Sequence, residues 1–211
     1  SFNSLINEIN EINERLFNTT RNLYEIELEK KQSEILQLRS QINPHFLYNT
    51  LEVCKGVAYE EGASKVAELL KSLSSIFKYS VKGEDEVSLK TEIGIIESYI
   101  KIQSTRFGSR LKYENDIPPD LLSLKIPKMI LQPIVENAVF HGLEKTTEDG
   151  LITISGEIRD DSLILSVHDN GVGFSEGILH DIRQQISEGG RSYGNHERIG
   201  ITNVSNRLKL L

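Results

Sequence analysis

The sequence predicts a multidomain protein, in which a long coiled coil and helical hairpin form a dimeric four-helix bundle and an α/β domain, built as an α+β sandwich, follows. Three observations predict this class. Apolar residues follow heptad spacing near the start, a second amphipathic segment follows a glycine-bounded turn, and strand-like runs alternate with helical runs after residue 110. We expect a coiled-coil helix over residues 1–32, the hairpin over 33–82, a linker helix over 83–109 and the α/β domain over 110–211.

Composition excludes several classes of function. The 211 residues are 38% hydrophobic and 26% charged, as in ordinary globular proteins. A net charge of −7 argues against non-specific binding of nucleic acid. The single cysteine, Cys54, excludes an internal disulfide and a cysteine-rich zinc site, and it fits a reducing compartment. No run approaches the ~18 apolar residues of a membrane-spanning helix. Because both ends fall within helical patterns, we interpret the chain as an excised fragment and leave a membrane segment upstream open.

The first 57 residues predict one long helix, since Gly56 is the first glycine and Pro44 the one proline. A narrow apolar stripe runs along this helix at heptad spacing, on Leu5, Ile9, Ile12, Leu16, Leu23 and Ile26. Such a stripe requires a partner, which favours a parallel dimer. A helix lying on the core of its own domain is the alternative.

Two further helices follow. Gly56 and Gly62 are predicted to bracket a turn, after which a second amphipathic helix completes the hairpin. A third helix is expected from Ser88, a predicted N-cap, to about Gly108, with Glu92 near its electropositive end. The apolar face of this third helix comprises Leu89, Ile93, Ile96 and Ile100.

The α/β part is predicted from a change of periodicity. Strands are expected at 111–117, 151–158 and 163–167, with a hairpin turn at 159–161. Helices are expected at 128–141, 175–187 and 200–211, with a glycine-rich loop at 188–198.

His45 is the first candidate for chemistry. The heptad pattern resumes later in the same helix and includes Phe46, which would belong to the seam between the two copies. His45 lies one residue away, about 100° around the helix, and should be reachable from outside the bundle. Pro44 removes a backbone donor beside it, at a cost of about 3 kcal/mol in a helix interior. A half-buried histidine beside an incidental kink is the alternative interpretation.

A second candidate set lies in LQPIVENAVFHGL, residues 131–143. Glu136 and Asn137 stand among apolar neighbours, where polar groups need partners, and an amide oxygen is a ligand that suits Mg²⁺. His141 follows Asn137 by one turn and shares its face. A helix end with Gly142 at its C′ position is the alternative.

The third candidate set is DNGVGF, residues 169–174, directly after a predicted strand. The carboxylate of Asp169 can accept a hydrogen bond from an exocyclic amine such as that of adenine. Gly171 and Gly173 let the backbone approach a flat ligand. An ordinary Asn-Gly turn is the alternative.

NPHFLYN, LQPIVENAVFHG and DNGVGF, in this order, closely resemble the LytS/YesM-like sensor histidine kinases of two-component systems. VSLKTEIGIIESYIKIQSTRFG and LKIPKMILQP also look like that family, and the resemblance runs from about Ser33 to the end of the chain. It implies that residues 33–82 are a dimerisation and histidine phosphotransfer hairpin. Residues 110–211 would be an ATP-binding catalytic domain, C-terminally incomplete, of the type shared by DNA gyrase, Hsp90 and MutL.

The implied activity is ATP-dependent autophosphorylation of His45, followed by phosphoryl transfer to an aspartate of a response regulator. By the resemblance, Asn137 ligates Mg²⁺, Glu136 acts as a base or orients a water, and Asp169 recognises adenine. Asn49 would position a water for dephosphorylation of the regulator, although a polar residue in the dimer seam is an equal alternative. The other implied nucleotide-binding residues are His141, Gly171, Gly173, Gly194 and Gly200.

The implied protein is a homodimer that binds no nucleic acid. It would be the cytoplasmic portion of a plasma-membrane sensor in a bacterium, attached to the membrane only through segments outside this chain. Three departures from the family pattern weaken the phosphate side of the site. Phe140 stands where members often carry lysine, Arg198 replaces a glycine of the lid motif, and the chain stops before the usual closing strands.

Two alternative functions stay open. One is a non-catalytic dimeric signalling scaffold that binds ATP. The other keeps the ATP-binding domain but uses it as a conformational switch or a serine kinase.

Overall fold

The computed structural model describes residues 26–27, 30–31, 43–81, 84–143, 149–187 and 199–209. Ile26, Glu27, Lys30 and Lys31 are helical. The seam positions predicted from Leu5 to Leu23 and the glycine-rich loop at 188–198 lie outside the described residues. The chain divides into two compact units, and the boundary lies between Leu47 and Tyr48.

From Pro44 onward, the described α-helices are α1 (Pro44–Glu60), α2 (Ser64–Val81), α3 (Leu89–Phe107), α4 (Gln132–Asn137), α5 (Glu176–Ser187) and α6 (Ile199–Leu208), and short 3-10 helices cover Gly108–Arg110 and Pro119–Ser123. The strands are β1 (Glu86–Ser88), β2 (Leu111–Asp116), β3 (Lys125–Pro127), β4 (Gly150–Arg159) and β5 (Ser162–Asp169). A π-helix, Ala138–Leu143, continues α4. None of the helices in the described part of the chain has the length and apolar character needed to cross a membrane.

Helix α1 begins at Pro44, so the prediction of a helix that continues through this proline is wrong. Asn43 is not helical, and its side-chain oxygen accepts hydrogen bonds from the backbone nitrogens of His45, at 3.1 Å, and Phe46, at 3.2 Å. Asn43 is therefore an N-cap, and Pro44 occupies the first helical position, where its missing donor costs nothing. His45 consequently lies in the first turn of α1 rather than beside a kink.

The turn between α1 and α2 is tighter than predicted. Gly56 lies within α1, and the turn forms around Gly62, whose φ is +69°. The nitrogen of Ala63 donates to the carbonyl of Ala58 at 2.8 Å, and the nitrogen of Gly62 donates to that of Tyr59 at 3.1 Å. This pair of bonds is the Schellman motif, which requires a residue with positive φ and explains the glycine.

Helix α3 confirms the predicted bounds. The side chain of Ser88 accepts from the nitrogen of Thr91 at 3.2 Å, and Gly108, at φ +65°, follows the last turn. The predicted apolar face, Leu89, Ile93, Ile96 and Ile100, is buried in one core with Leu111, Val135, Ile152 and Ile154. The helix expected to be a linker therefore packs into the α/β core.

The main sheet is mixed. Its order is β2-β4-β5, in which β2 is parallel to β4 and β4 is antiparallel to β5. Asp160 and Asp161, with φ of +50° and +58°, form the two-residue turn of the β4–β5 hairpin, as predicted for this segment. A second, two-stranded sheet pairs β1 with β3 antiparallel. The predicted combination of helices with an α/β sheet is thus confirmed, and the sheet carries Asp169 at the end of β5.

Candidate functional site

The helix that carries Glu136 and Asn137 starts later than predicted. Residues 128–131 precede α4 as a turn in which Met129 has φ +59°, and Pro133 lies in the first helical turn, where it removes no hydrogen bond. The chain then widens into the π-helix and remains helical through Gly142 to Leu143. The alternative of a helix end at Gly142 is therefore wrong. Single turns of π-helix occur frequently at functional sites.

A cavity of about 130 Å³ lies where this helix faces the end of β5. The residues around it come from four segments of the chain: Ile134, Asn137, Ala138, Gly142, Val167, Asp169, Gly173, Phe174 and Ile201. Three predicted site residues, Asn137, Asp169 and Gly173, thus line one cavity although 36 positions separate the first from the last. The cavity is mainly apolar with an amide and a carboxylate in its wall, which suits a flat heterocycle with polar edges.

Two glycines allow the π-helix and the loop after β5 to approach each other closely beside this cavity. A Cβ on Gly142 would lie 2.6 Å from Oδ1 of Asp169, and a Cβ on Gly171 would overlap the backbone of Gly142. The nitrogen of Val172 donates to the carbonyl of Gly142 at 3.3 Å, which joins the π-helix to the loop after β5. Side chains at these two positions would push the helix and the loop apart.

Asp169 is held in a defined orientation. Its Oδ1 accepts from the nitrogen of Gly171 at 2.9 Å. The neighbouring Asn170 accepts from the nitrogen of Leu151 at 2.7 Å and donates to the carbonyl of Asp149 at 2.9 Å. Because Asn170 fixes the loop to the start of β4, the Asp169 carboxylate is positioned before any ligand arrives.

Two further predicted glycines, Gly173 and Gly200, have different roles. Gly173 has φ +66°, and a Cβ there would meet open space, so its backbone conformation rather than crowding favours glycine. Gly200 lies in the first turn of α6, where a Cβ would come within 3.3 Å of the Asn137 amide nitrogen. Gly200 thus lets α6 pass close to Asn137.

Asn137 and Glu136 differ in their environments. The side-chain nitrogen of Asn137 is buried and has no hydrogen-bond partner among the described residues, whereas Glu136 accepts from Nε2 of Gln132 at 2.8 Å. A buried amide without a partner is costly, and a ligand in the adjoining cavity would satisfy it. The described residues contain no cluster of three or more His, Cys, Asp or Glu side chains suited to a metal. A Mg²⁺ ion bound here would take one amide oxygen from the protein and its other ligands from phosphate and water, as this ion often does.

The remaining predicted residues lie as follows. His45 and Asn49 are exposed on α1, one turn apart. His141 belongs to the π-helix by its backbone. Gly194 lies outside the described residues. Asn49 is not among the residues that line the cavity.

Reasoning from the sequence missed two contributors to this site, Gly142 and Gln132. The sequence predicts only a helix end at Gly142, and the contact that explains this glycine depends on a residue 27 positions later. Gln132 precedes Glu136 by one helical turn, and this i, i+4 spacing was the signal available.

Comparisons with known proteins place the chain in a family. The sequence profile of the family "Histidine kinase" matches residues 33–111. Sensor histidine kinase YesM of Bacillus subtilis is 35% identical over 181 residues, 85% of this chain and 29% of that protein. Sensor protein LytS of Oceanobacillus iheyensis is 31% identical over 84% of this chain and 30% of that protein.

A solved histidine kinase domain from the blue-light-activated kinase of Erythrobacter litoralis overlaps 69% of this chain and 70% of that chain. Its identity is 14% and its TM-score 0.41, a similarity too weak to bear on the fold. The chain spans less than a third of the length of YesM and LytS. The matching profile and the sequence identities to these relatives show that the chain belongs to the LytS/YesM-like sensor histidine kinases.

Proposed function

We propose that this chain is the kinase core of a two-component sensor, which binds ATP beside Asp169 and transfers the γ-phosphoryl group to His45. The observation that carries the proposal is that Asn137 and Asp169 line one cavity, where Gly142 and Gly171 let the helix and the loop after β5 come close together. In this proposal residues 33–82 serve as the dimerisation and phosphotransfer hairpin, and residues 110–211 bind nucleotide together with the packed helix α3.

The adenine end of ATP fits the apolar part of the cavity. One oxygen of Asp169 is engaged with the nitrogen of Gly171, and the second can accept from the exocyclic amine of adenine. Gly173 lines the same cavity and allows the chain to run close to the ring. We propose that Gly194 and Gly200 belong to the lid over the phosphates, and that His141 contributes to nucleotide binding.

Asn137 is the residue that would hold Mg²⁺, through its amide oxygen. When bound, this ion would neutralise charge on the β- and γ-phosphates. Glu136, oriented by Gln132, is the acidic group proposed as base or water-orienting residue. Phosphoryl transfer needs positioning and charge neutralisation more than covalent help from the protein.

The proposed nucleophile is a neutral imidazole nitrogen of His45. Its lone pair forms a nitrogen–phosphorus bond as the bond from the γ-phosphorus to the bridging oxygen breaks, and ADP leaves with that electron pair. Because His45 lies in the first turn of α1, the negative charge that it gains lies at the electropositive end of a helix. Such a location favours an anion by about 0.3–1 kcal/mol.

We propose a homodimer as the working form. Apolar side chains remain exposed on both hairpin helices, with Val53 and Val57 on α1 at 66% and 52% and Val66 and Leu73 on α2 at 50% and 45%. Their spacing of four and seven residues suits a helical bundle between two copies. Within one copy, the Ser74 hydroxyl donates to Glu52 across the hairpin at 3.1 Å.

The further partners belong to the whole sensor. We propose that His45 passes its phosphoryl group to an aspartate of a cognate response regulator, and that Asn49 positions water for the reverse control, dephosphorylation of the regulator. We propose a bacterial plasma-membrane sensor as the parent protein, with this chain on the cytoplasmic side and with no nucleic acid as partner.

Incubation with γ-labelled ATP tests the function. Label that is acid-labile, alkali-stable and lost in His45→Ala is expected, whereas His180→Ala, an exposed histidine on α5, should retain it. Acid-stable label would instead indicate serine transfer, and nucleotide binding without label would indicate a switch or scaffold. If the protein bound no nucleotide, every hypothesis in which it binds ATP would be refuted.

A further inference from the structure

Glu92 is a fully buried carboxylate that holds the start of helix α4. Its side chain is 0% exposed. Oε2 accepts from the nitrogen of Met129 at 3.0 Å, and Oε1 accepts from the nitrogens of Leu131 at 3.1 Å and Gln132 at 3.4 Å. These amides precede or begin α4, where backbone donors have no partner within the helix. A carboxyl group is well suited to them because its two oxygens can together accept several hydrogen bonds.

The location of Glu92 connects it to the proposed nucleotide site. Met129, at φ +59°, has a conformation that a residue with a side chain rarely adopts, and the bond to Glu92 holds it there. Gln132 follows within the same turn and donates from its side chain to Glu136. Asn137 lies on the same short helix. The direction of α4, and with it the positions of Glu136 and Asn137, therefore depends on Glu92.

A residue of the hairpin shares this carboxylate. The hydroxyl of Tyr79, on α2, donates to Oε2 of Glu92 and accepts from the nitrogen of Met129 at 3.3 Å. Lys128 lies over the Tyr79 ring with Nζ 5.0 Å from its centroid, and the carbonyl of Lys128 accepts from Arg207 on α6. Thus α2 touches the segment before α4 through a buried, hydrogen-bonded tyrosine.

We infer that Glu92 is a positioning residue for the helix that carries Glu136 and Asn137, and that Tyr79 makes this positioning depend on hairpin helix α2. The inference rests on the proposed function for the role of the two α4 residues. A movement of α2 that withdraws the Tyr79 hydroxyl would loosen the start of α4 and displace Asn137 from a bound nucleotide.

Two variants and one matched control test this inference in the whole chain. Tyr79→Phe removes the hydroxyl and keeps the ring, and Glu92→Gln keeps the volume but replaces one acceptor by a donor. Tyr113→Phe is the control, because the buried Tyr113 hydroxyl has no hydrogen-bond partner among the described residues. The rate of backbone hydrogen exchange in the segment 129–137 measures how firmly the start of α4 is held in place. ATP affinity with Mg²⁺ and in EDTA measures the position of Asn137.

Both variants should speed exchange in 129–137 by about tenfold, and the control should not. They should also reduce the gain in ATP affinity from Mg²⁺ by at least about threefold, with the affinity in EDTA within about twofold of wild type. If Tyr79 and Glu92 only stabilise the fold, the variants will lower the fraction of protein that binds ATP, but the ratio of ATP affinity with Mg²⁺ to that in EDTA will stay the same. An unchanged affinity ratio, or unchanged hydrogen exchange in 129–137, overturns the inference. If wild type binds no ATP, the proposed function fails, and the exchange experiment alone decides whether Tyr79 and Glu92 hold the helix.

Discussion

Gly142 and Asp169 touch so closely that no side chain fits between them. A Cβ on Gly142 would lie 2.6 Å from Oδ1 of Asp169, which already accepts from the nitrogen of Gly171 at 2.9 Å. The carboxylate cannot retreat without losing that bond. The position of Asp169 in the cavity wall therefore depends on the absence of a side chain at Gly142 in the neighbouring π-helix.

Gly142→Ala should weaken ATP binding by at least about tenfold, because the new methyl group displaces Asp169 from its hydrogen bond. Isothermal titration with ATP measures the change. Gly94→Ala is the matched control, since a Cβ at that position within α3 would meet nothing within 4 Å. The control should leave affinity unchanged and raise the free energy of unfolding by about 0.5–1 kcal/mol. Equal affinities for both variants would contradict the proposed site.

Asn49→Ala should separate the two proposed activities of α1. We expect label on His45 to form at a rate within about twofold of wild type, while release of phosphate from the phosphorylated regulator slows by about tenfold. Thr50→Ala changes the adjacent exposed position, which faces about 100° away around the helix. The two rates are measured separately with labelled protein. If Asn49→Ala left phosphate release at the wild-type rate, Asn49 would be a structural residue of the hairpin.

Ile96→Ala should lower the free energy of unfolding by about 2–5 kcal/mol, because it opens a cavity in the core shared by α3 and the sheet. Ile96 is 0% exposed, whereas Ile158, at the end of β4, is 52% exposed. Ile158→Ala makes the same chemical change and should alter this free energy by no more than about 0.5 kcal/mol. Urea unfolding of both variants measures the difference. Similar losses would mean that α3 does not belong to this core.

Stability should fall above pH 10 because two tyrosines with buried hydroxyl groups, Tyr79 and Tyr113, resist ionisation. Burial and then the hydrogen bond to Glu92 raise the pKa of Tyr79, and burial with the nearby Glu97 raises the pKa of Tyr113 to about 12. A raised pKa means that the folded state binds the proton more tightly. The stabilisation is therefore complete below the unfolded pKa of about 10 and is lost as pH rises above it.

Urea unfolding from pH 8 to 11 tests this expectation. Tyr79→Phe and Tyr113→Phe should each make the decline above pH 10 shallower. At pH 8 they should differ, because the Tyr79 hydroxyl bonds to Glu92 and that of Tyr113 has no partner among the described residues. Tyr79→Phe should cost about 0.5–1.5 kcal/mol there, and Tyr113→Phe close to nothing. If the free energy of unfolding of Tyr79→Phe declined above pH 10 as steeply as that of wild type, the raised pKa of Tyr79 would not be the cause of the decline.

Local signals predicted much of the fold. Ser88 and Gly108 marked both ends of α3, and the spacing of its apolar residues identified the face that is buried. These features depend on hydrogen bonds and periodicity within a few residues, which the sequence displays directly. Asn43 before Pro44 is an equally local signal for a helix start, but heptad spacing across this point favours a continuous helix. The structure shows that Asn43 caps a helix that begins at Pro44.

The sequence by itself determined the family, the order of the motifs and the candidates Asn137 and Asp169. Only the tertiary structure decided what surrounds them. The contact of Gly142 with Asp169 and the burial of Glu92 beside Tyr79 join residues far apart in the chain. The helix-start signals indicate an acidic residue near the start of α3 but not its partners, because these depend on how α2 and the turn before α4 pack against that helix. Tertiary packing and hydrogen bonding, rather than local propensity, bring Gly142 against Asp169 and Glu92 against the turn before α4.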